Sequence, residues 1–208
     1  MTRLHRDVAD ELLAGIVKGL YAPGTLLPKE TALVDEFKIS RGTVREALRA
    51  LEERGVVHVT HGRGARVQPP EEWNVLDPVV AGAIARGRNR RRFLDEVQLY
   101  RVVLESEAAA LAAERASAAQ RAELRVRAHD LDTDGELARS AQRLRRLIAV
   151  ASGNRPLAAT LRALDESVPR KLNAEAAEAC SRLALAVADG DAAAARDAAQ
   201  ELNVRTHH

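Results

Sequence analysis

The sequence predicts a mainly α protein in two parts, an N-terminal winged helix-turn-helix with a small β-hairpin and a C-terminal all-α antiparallel helical bundle. Three observations carry that expectation. An arginine-striped segment bracketed by Ser40 and Gly55 is followed at once by two short β-branched runs with glycines between them. From residue 79 onward the chain is rich in Ala, Leu, Arg and Glu, with no alternating β-branched run. Between these regions, Pro69 and Pro70 hold the chain extended and stop the preceding strand. The expected boundaries are 1–69 for the first domain, 70–78 for a linker and 79–206 for the second domain.

In the first domain, Val8, Leu12, Ile16 and Leu20 recur at helical spacing and mark one amphipathic helix, ended by Ala22-Pro23-Gly24. Pro28 opens a short second helix that runs to about Phe37, because proline is tolerated in a first turn. After a tight Lys38-Ile39-Ser40 turn comes a third helix, close to 41–54. Ser40 is suited to accept a bond from a first-turn amide, and Gly55 supplies a left-handed stop. Val44, Ala47, Leu48 and Leu51 give this helix a buried face, while Arg41, Arg45 and Arg49 form a ridge turned away from it. Guanidiniums on such a ridge suit phosphate contacts and bidentate reading of guanine edges. The alternative is a solvated face on which Arg45 and Arg49 pair with Glu46, Glu52 or Glu53. Val56–Thr60 and Ala65–Val67 then flank His61-Gly62-Arg63-Gly64 as a β-hairpin, whose tip presents Arg63 to a minor groove or a phosphate.

Residues 5 to 67 resemble the DNA-binding domain of the GntR family of bacterial transcription regulators. The resemblance rests on Leu27-Pro28-Lys29-Glu30, on the run Ser40 to Leu48, on Leu51-Glu52, on Gly55 and on Gly62-Arg63-Gly64. It implies that Arg41 and Arg45 contact operator bases or nearby phosphates and that Gly64 approaches the minor groove. The family's customary arginine after the glutamate is replaced by Thr31, with Lys29 as a partial substitute. The expected DNA-contact set is Lys29, Ser40, Arg41, Thr43, Arg45, Arg49, His61, Arg63 and Gly64.

Composition bounds the remaining possibilities. The 208 residues carry a net charge of only +2, so DNA affinity has to come from local placement of arginines and not from a broad basic field. There is no membrane-length apolar run and no signal-peptide pattern, and Cys180 is the only cysteine; these point to a cytoplasmic protein without a disulfide framework. No nucleophile with its base, phosphate loop or metal constellation is visible, so an enzyme is not expected. Trp73 is expected either at the seam between domains or as a surface cap on the second domain. The linker Trp73-Asn74-Val75-Leu76-Asp77-Pro78 resembles that of GntR-family regulators of sugar-acid catabolism.

Helices in the second part are expected near 76–86, 92–115, 118–129, 135–151, 155–168, 171–189 and 191–204, divided by Gly87, Ser117, Gly135, Ser152-Gly153-Asn154, Pro169 and Gly190. With few aromatics, the core is built from Leu, Val and Ala, which favours support from dimerisation. The stretch Tyr100 to Ala116, then Ala149 to Asn154, then Gly190-Asp191-Ala192, resembles the ligand-binding helical domain of the FadR subgroup of GntR regulators, with the interval between Asn154 and Cys180 shortened. That subgroup's usual site is a metal held by one Asp and three His. Counting from the matched motifs, those four positions fall on Ala141, Arg145, Cys180 and Leu202, so no metal and no cofactor is expected; His5, His58, His61 and His129 show no ligand spacing. Arg145 stands where a His is missing and can bind a carboxylate or phosphate directly. The expected effector contacts are Arg101, Glu105, Arg145 and Asn154, unless Arg145 points outward beside Arg143 and Arg146 and Arg101 simply pairs with Glu105. The resulting expectation is a homodimeric repressor on a palindromic double-stranded operator, released by a small anion such as a gluconate-like sugar acid. The alternative is an effector-independent, nucleoid-type DNA binder with a decayed pocket.

Overall fold

The computed structural model describes residues 4–132, 137–170 and 174–205, and the chain divides into two compact units, Met1–Arg91 and Arg92–His208. The helix starts expected at 135 and 171, the break at Gly135 and the His207-His208 tail lie outside the described residues.

The first unit opens with α1 (Leu4–Val17), which buries Val8, Leu12 and Ile16 and packs on α3 (Arg41–Glu53). Leu20, expected to continue that face, is exposed, because α1 stops at Val17 and the chain reverses through Gly19 at φ +81°. The short α2 (Glu30–Phe37) begins two residues after Pro28, and Lys38 closes it in the left-handed region, its amide donating to Val34 O. At the start of α3, Ser40 Oγ accepts from the Thr43 amide at 3.1 Å. Val44, Ala47, Leu48 and Leu51 are buried as the periodicity requires. Strands β1 (Val57–Thr60) and β2 (Gly64–Val67) pair antiparallel from Val57 opposite Val67 to Thr60 opposite Gly64, leaving a three-residue tip at 61–63. The segment around Leu26 adds a third edge to this hairpin, with the Leu27 amide donating to Ala65 O at 2.8 Å and the Val67 amide to Thr25 O at 2.9 Å. Glu52 ties the hairpin to α3 by accepting from the Val59 amide at 2.8 Å.

The joint departs from expectation. Asp77 caps α4 (Pro78–Ile84), accepting from the amides of Val79 and Val80, and it also pairs with Arg54 at 3.3 Å. Val80 is fully buried in the same core as α1 and α3. Trp73 is half-buried against that core, its indole N–H donating to Gln68 O at 3.0 Å. The stretch expected as linker, 70–78, and the first turns assigned to the second domain therefore fold with the first unit, and the division falls after Arg91. Apolar burial of Val80, which the prolines upstream conceal, sets that boundary.

The second unit is helical throughout its described residues: the body of α5 (Arg90–Arg115), then α6 (Ala118–His129), α7 (Leu137–Ala151), α8 (Arg155–Ser167), α9 (Ala174–Asp189) and α10 (Ala192–Arg205). The core gathers Leu124, Leu144, Val187 and Leu202 among many alanines, and α9 packs against both α6 and α10. Ser117 and Gln120 form a capping box on α6. Arg121 is a staple that no periodicity foretells, its guanidinium donating to carbonyls of Ala113 and Ala116 and, at 3.2 Å each, to those of Val187 and Ala188. It satisfies carbonyls that the C-termini of α5 and α9 would leave open. Among the described residues, no helix is long and apolar enough to cross a membrane.

Candidate nucleic-acid interface and a buried charge cluster

On the first unit, Arg41, Arg45 and Arg49 stand exposed along one side of α3, opposite the buried Val44, Ala47, Leu48 and Leu51. Of the pairings expected on a solvated face, Arg49 with Glu53 forms, but Arg45 takes a different partner. Arg45 donates through Nε to Glu30 Oε2 at 3.0 Å, an acid from α2 and not from its own helix, while Arg49 pairs with Glu53 at 3.2 Å. The Glu30 contact occupies only Nε, so the two terminal nitrogens of Arg45 remain available as a fork. Both pairs are exposed and are worth at most about 1 kcal/mol, small enough for a phosphate or base edge to replace. Lys29 lies exposed next to Glu30 at the start of α2, and the Glu30–Arg45 contact brings it beside the arginine ridge. Ser40 and Thr43 are engaged locally: their hydroxyls lie 2.9 Å apart, and Ser40 caps the helix. At the hairpin, His61 and Arg63 are exposed on the tip. Gly64, also exposed, opens β2 instead of sitting within the tip, at φ +100°.

On the second unit, three of the four residues expected to meet an effector converge. Arg101, Glu105 and Arg145 are buried together, joined by Asp165, Arg170 and Asn203, none of which sequence spacing singled out. Arg145 points inward, not outward beside its arginine neighbours, with only 7% of its side chain exposed. It lies 3.9 Å from Glu105 and 3.6 Å from Asp165. Arg170 donates to Glu105 Oε1 at 2.9 Å and to Asn203 Oδ1 at 3.0 Å, and Asn203 Nδ2 donates to Glu105 Oε2 at 2.9 Å. Arg101 does not use Glu105 as its i+4 partner. Its Nη2 donates to Leu164 O at 2.9 Å and to Val168 O, and it faces Asp165 at 3.6 Å, so it ties α5 to the C-terminal end of α8. Local spacing does not point to Asp165 or Arg170, because each finds its partners on other helices: Asp165 meets Arg145 and Arg101, and Arg170 meets Glu105 and Asn203.

Electrostatics in the cluster are set by burial against opposed charge. Burial pushes the Glu105 carboxyl up, but Arg170, Arg145, the Asn203 amide and Arg101 together outweigh it and hold Glu105 below the usual carboxylate range. Burial, aided by Arg170 and Arg145, outweighs the pull of Asp165 and Glu105 and brings Arg101 down to about 10, still charged at neutral pH. For Arg145, burial is more than offset by Glu105 and Asp165, and its affinity for the proton rises. Three guanidiniums thus face two carboxylates. Several of their donors remain unspent: Nε of Arg101 and both Nε and Nη1 of Arg145 and Arg170 have no hydrogen-bond partner.

A cavity of about 570 Å³ opens beside this cluster, lined by Glu105, Arg145, Asn154 and Asp165 with the rim arginines Arg155 and Arg162. Ile148, Leu161 and several alanines complete its walls. Arg101 stands behind the cavity and does not line it. Asn154 lines it, with Oδ1 used to cap α8 by accepting from the Leu157 amide at 3.2 Å.

The four positions matched to the subgroup's metal ligands do not suit a metal. Ala141 and Leu202 are buried and carry no donor, and Arg145 brings a positive charge. Cys180, whose Sγ lies 4.0 Å from Ala141 O, is pushed up to about 11 by burial and stays a thiol. Among the described residues, no three His, Cys, Asp or Glu side chains gather as a ligand set.

Over 117 residues, 56% of this chain, the sequence is 38% identical to YieP, an uncharacterised helix-turn-helix transcriptional regulator of Escherichia coli K12, covering 51% of that protein. Over 109 residues, 52% of this chain, it is 35% identical to the galactonate operon transcriptional repressor of the same bacterium, covering 48% of it. The chain thus spans about half the length of these curated relatives. A solved structure, a GntR protein of Streptococcus agalactiae, aligns over 98% of both chains with a TM-score of 0.54 at 23% identity, which shows a shared fold. Residues 4–67, the stretch that holds the helix-turn-helix, the wing and the arginine ridge, match the model of the gntR family of bacterial regulatory proteins.

Proposed function

We propose that this protein is a sequence-specific DNA-binding transcription regulator, a repressor of a catabolic operon whose hold on DNA is released by a small anionic metabolite. The observation that carries the reading is the exposed ridge of Arg41, Arg45 and Arg49 inside a gntR-family domain, with Arg45 held by Glu30 so that its terminal fork is free. Lys29, Arg63, His61 and Gly64 serve as flanking contacts to phosphate and minor groove, while Ser40 and Thr43 fix the start of the reading helix. Two copies of the chain place two such helices on a palindromic operator, because half-site symmetry mirrors dimer symmetry. The intact cavity, with an arginine whose donors are unspent, favours an effector-responsive regulator over a decayed pocket. Arg145 and Glu105 form the effector contact, Asn154 shapes its edge, and Arg101 holds the α8 wall in place. The name of the galactonate repressor supports a sugar acid as the effector class. Control requires that the acid bind the DNA-free pose more tightly than the DNA-bound pose.

The test is fluorescence anisotropy on genomic operator fragments at two salt concentrations. Arg45→Ala is expected to weaken specific binding roughly 5- to 150-fold, the worth of one bidentate base contact, with the dimer intact by analytical ultracentrifugation. Unchanged specific affinity in that variant overturns the assignment of α3.

A further inference from the structure

The charge around the cavity narrows the ligand beyond a small anion. Its lining carries four arginines, Arg145, Arg146, Arg155 and Arg162, against two carboxylates, Glu105 and Asp165. Behind these carboxylates stand Arg101 and Arg170, and outside the rim Glu166 pairs with Arg146 at 3.5 Å. Six guanidiniums against three carboxylates leave an excess of three positive charges. One part of that excess is fixed at the inner end, where Arg145 is more than nine-tenths buried, lines the cavity and keeps Nε and Nη1 without a hydrogen-bond partner. Another part sits at the rim, where Arg155 and Arg162 lie exposed on α8, seven residues and so about 10 Å apart. The positive end of the α8 dipole, at Arg155, adds to the second position.

The geometry points to a ligand with two anionic groups, one meeting Arg145 at the inner end and the other meeting Arg155 and Arg162 at the rim, bound without a metal ion. This assignment rests on the reading of the cavity as an effector site. A monoanion satisfies the inner arginine and leaves the rim uncompensated; a dianion of six carbons or so fits the 570 Å³ available and engages both. The second anionic group is a carboxylate or a phosphate, since exposed guanidiniums accept either.

The test uses one carbon skeleton carrying either one anionic group or two. Gluconate, glucarate and 6-phosphogluconate are titrated calorimetrically against the full chain in the presence of EDTA, with adipate as the unhydroxylated dicarboxylate. At least one dianion is expected to bind about tenfold or more tighter than gluconate, undiminished by EDTA. The preference between glucarate and 6-phosphogluconate identifies the second group. Arg155→Ala/Arg162→Ala, on exposed positions, is expected to erase the preference while leaving gluconate binding in place. Arg145→Met is expected to abolish binding of all four, with circular dichroism as the check on folding; if that variant does not fold, the rim variant still decides. Gluconate binding as tightly as both sugar dianions, an unchanged preference in the rim variant, or loss of binding with EDTA overturns the two-anion assignment and leaves the effector reading standing. No binding by any of the four acids, with operator binding intact, overturns both.

Discussion

Glu105→Gln is the substitution that most directly tests the buried charge cluster. Glu105 contacts both Arg170 and Arg145 and is the acceptor for the Asn203 amide. Glutamine keeps the shape and one acceptor for Arg170, but its amide nitrogen then faces Asn203 Nδ2, donor against donor. Asn203 cannot turn over to relieve this without giving up its Oδ1 bonds from Arg170 and Gln98. With the charge gone, Arg170 loses its carboxylate, and Arg101 and Arg145 keep Asp165. Removing one partner from a buried ionic group costs about 3–5 kcal/mol, and the retained Arg170 bond places this case near the lower end. For a helical unit of this size, 1 kcal/mol moves the melting temperature by roughly 3–5 °C, so a fall of roughly 10–15 °C is expected by circular dichroism at pH 7. Glu96→Gln, which breaks the exposed Arg92–Glu96 pair, serves as the control and should shift melting by less than about 2 °C. The pH dependence has a definite sign. Glu105 titrates lower in the folded protein than its ordinary value, so its stabilisation is present above about pH 4.3 and is lost as pH falls through the depressed folded value. The gap between wild type and Glu105→Gln should therefore close in acid. A shift at pH 7 no larger than that of the control refutes the cluster as a source of stability.

Two glycines with nearly equal backbone angles should respond differently to a methyl group. Gly62→Ala, at φ +74° with open space around it, is expected to cost about 1–2 kcal/mol of left-handed strain, whereas Gly55→Ala, at φ +72° with its new carbon 2.3 Å from Glu72 O, should cost at least about twice as much in urea titrations; equal losses refute the close approach. Cys180, buried and pushed up to about 11, should resist iodoacetamide at pH 8 in the native protein and react on unfolding, a difference read by mass spectrometry; rapid native alkylation refutes its burial.

Much of the fold was legible in local sequence because its causes are local. Ser40, Gly55 and the run Val44 to Leu51 contain the start, the stop and the buried face of α3 within sixteen residues, and the structure follows them closely. The helices of the second unit were readable for the same reason: Ser117, Asn154 and Gly190 act on the nearest turns, through capping bonds or a left-handed φ. Charges on α3 could be assigned to an exposed ridge, and Arg49 to Glu53, but Arg45 could not be assigned its partner. Glu30 reaches Arg45 only because α2 packs on α3, and no i+4 rule contains that contact.

Which segments are helical, where the arginine ridge lies and that the subgroup's usual metal ligands are absent could all be read from residue identity at short spacing. Tertiary structure alone decided what the burial of long-range partners decides. It drew Val80 and α4 into the first unit and turned Arg101 from a ligand contact into a staple on α8. It also brought Asp165, Arg170 and Asn203 to Glu105 and Arg145 across as many as 98 residues of chain. A buried charge takes its partner from whatever the packing delivers, and packing is a property of the folded whole.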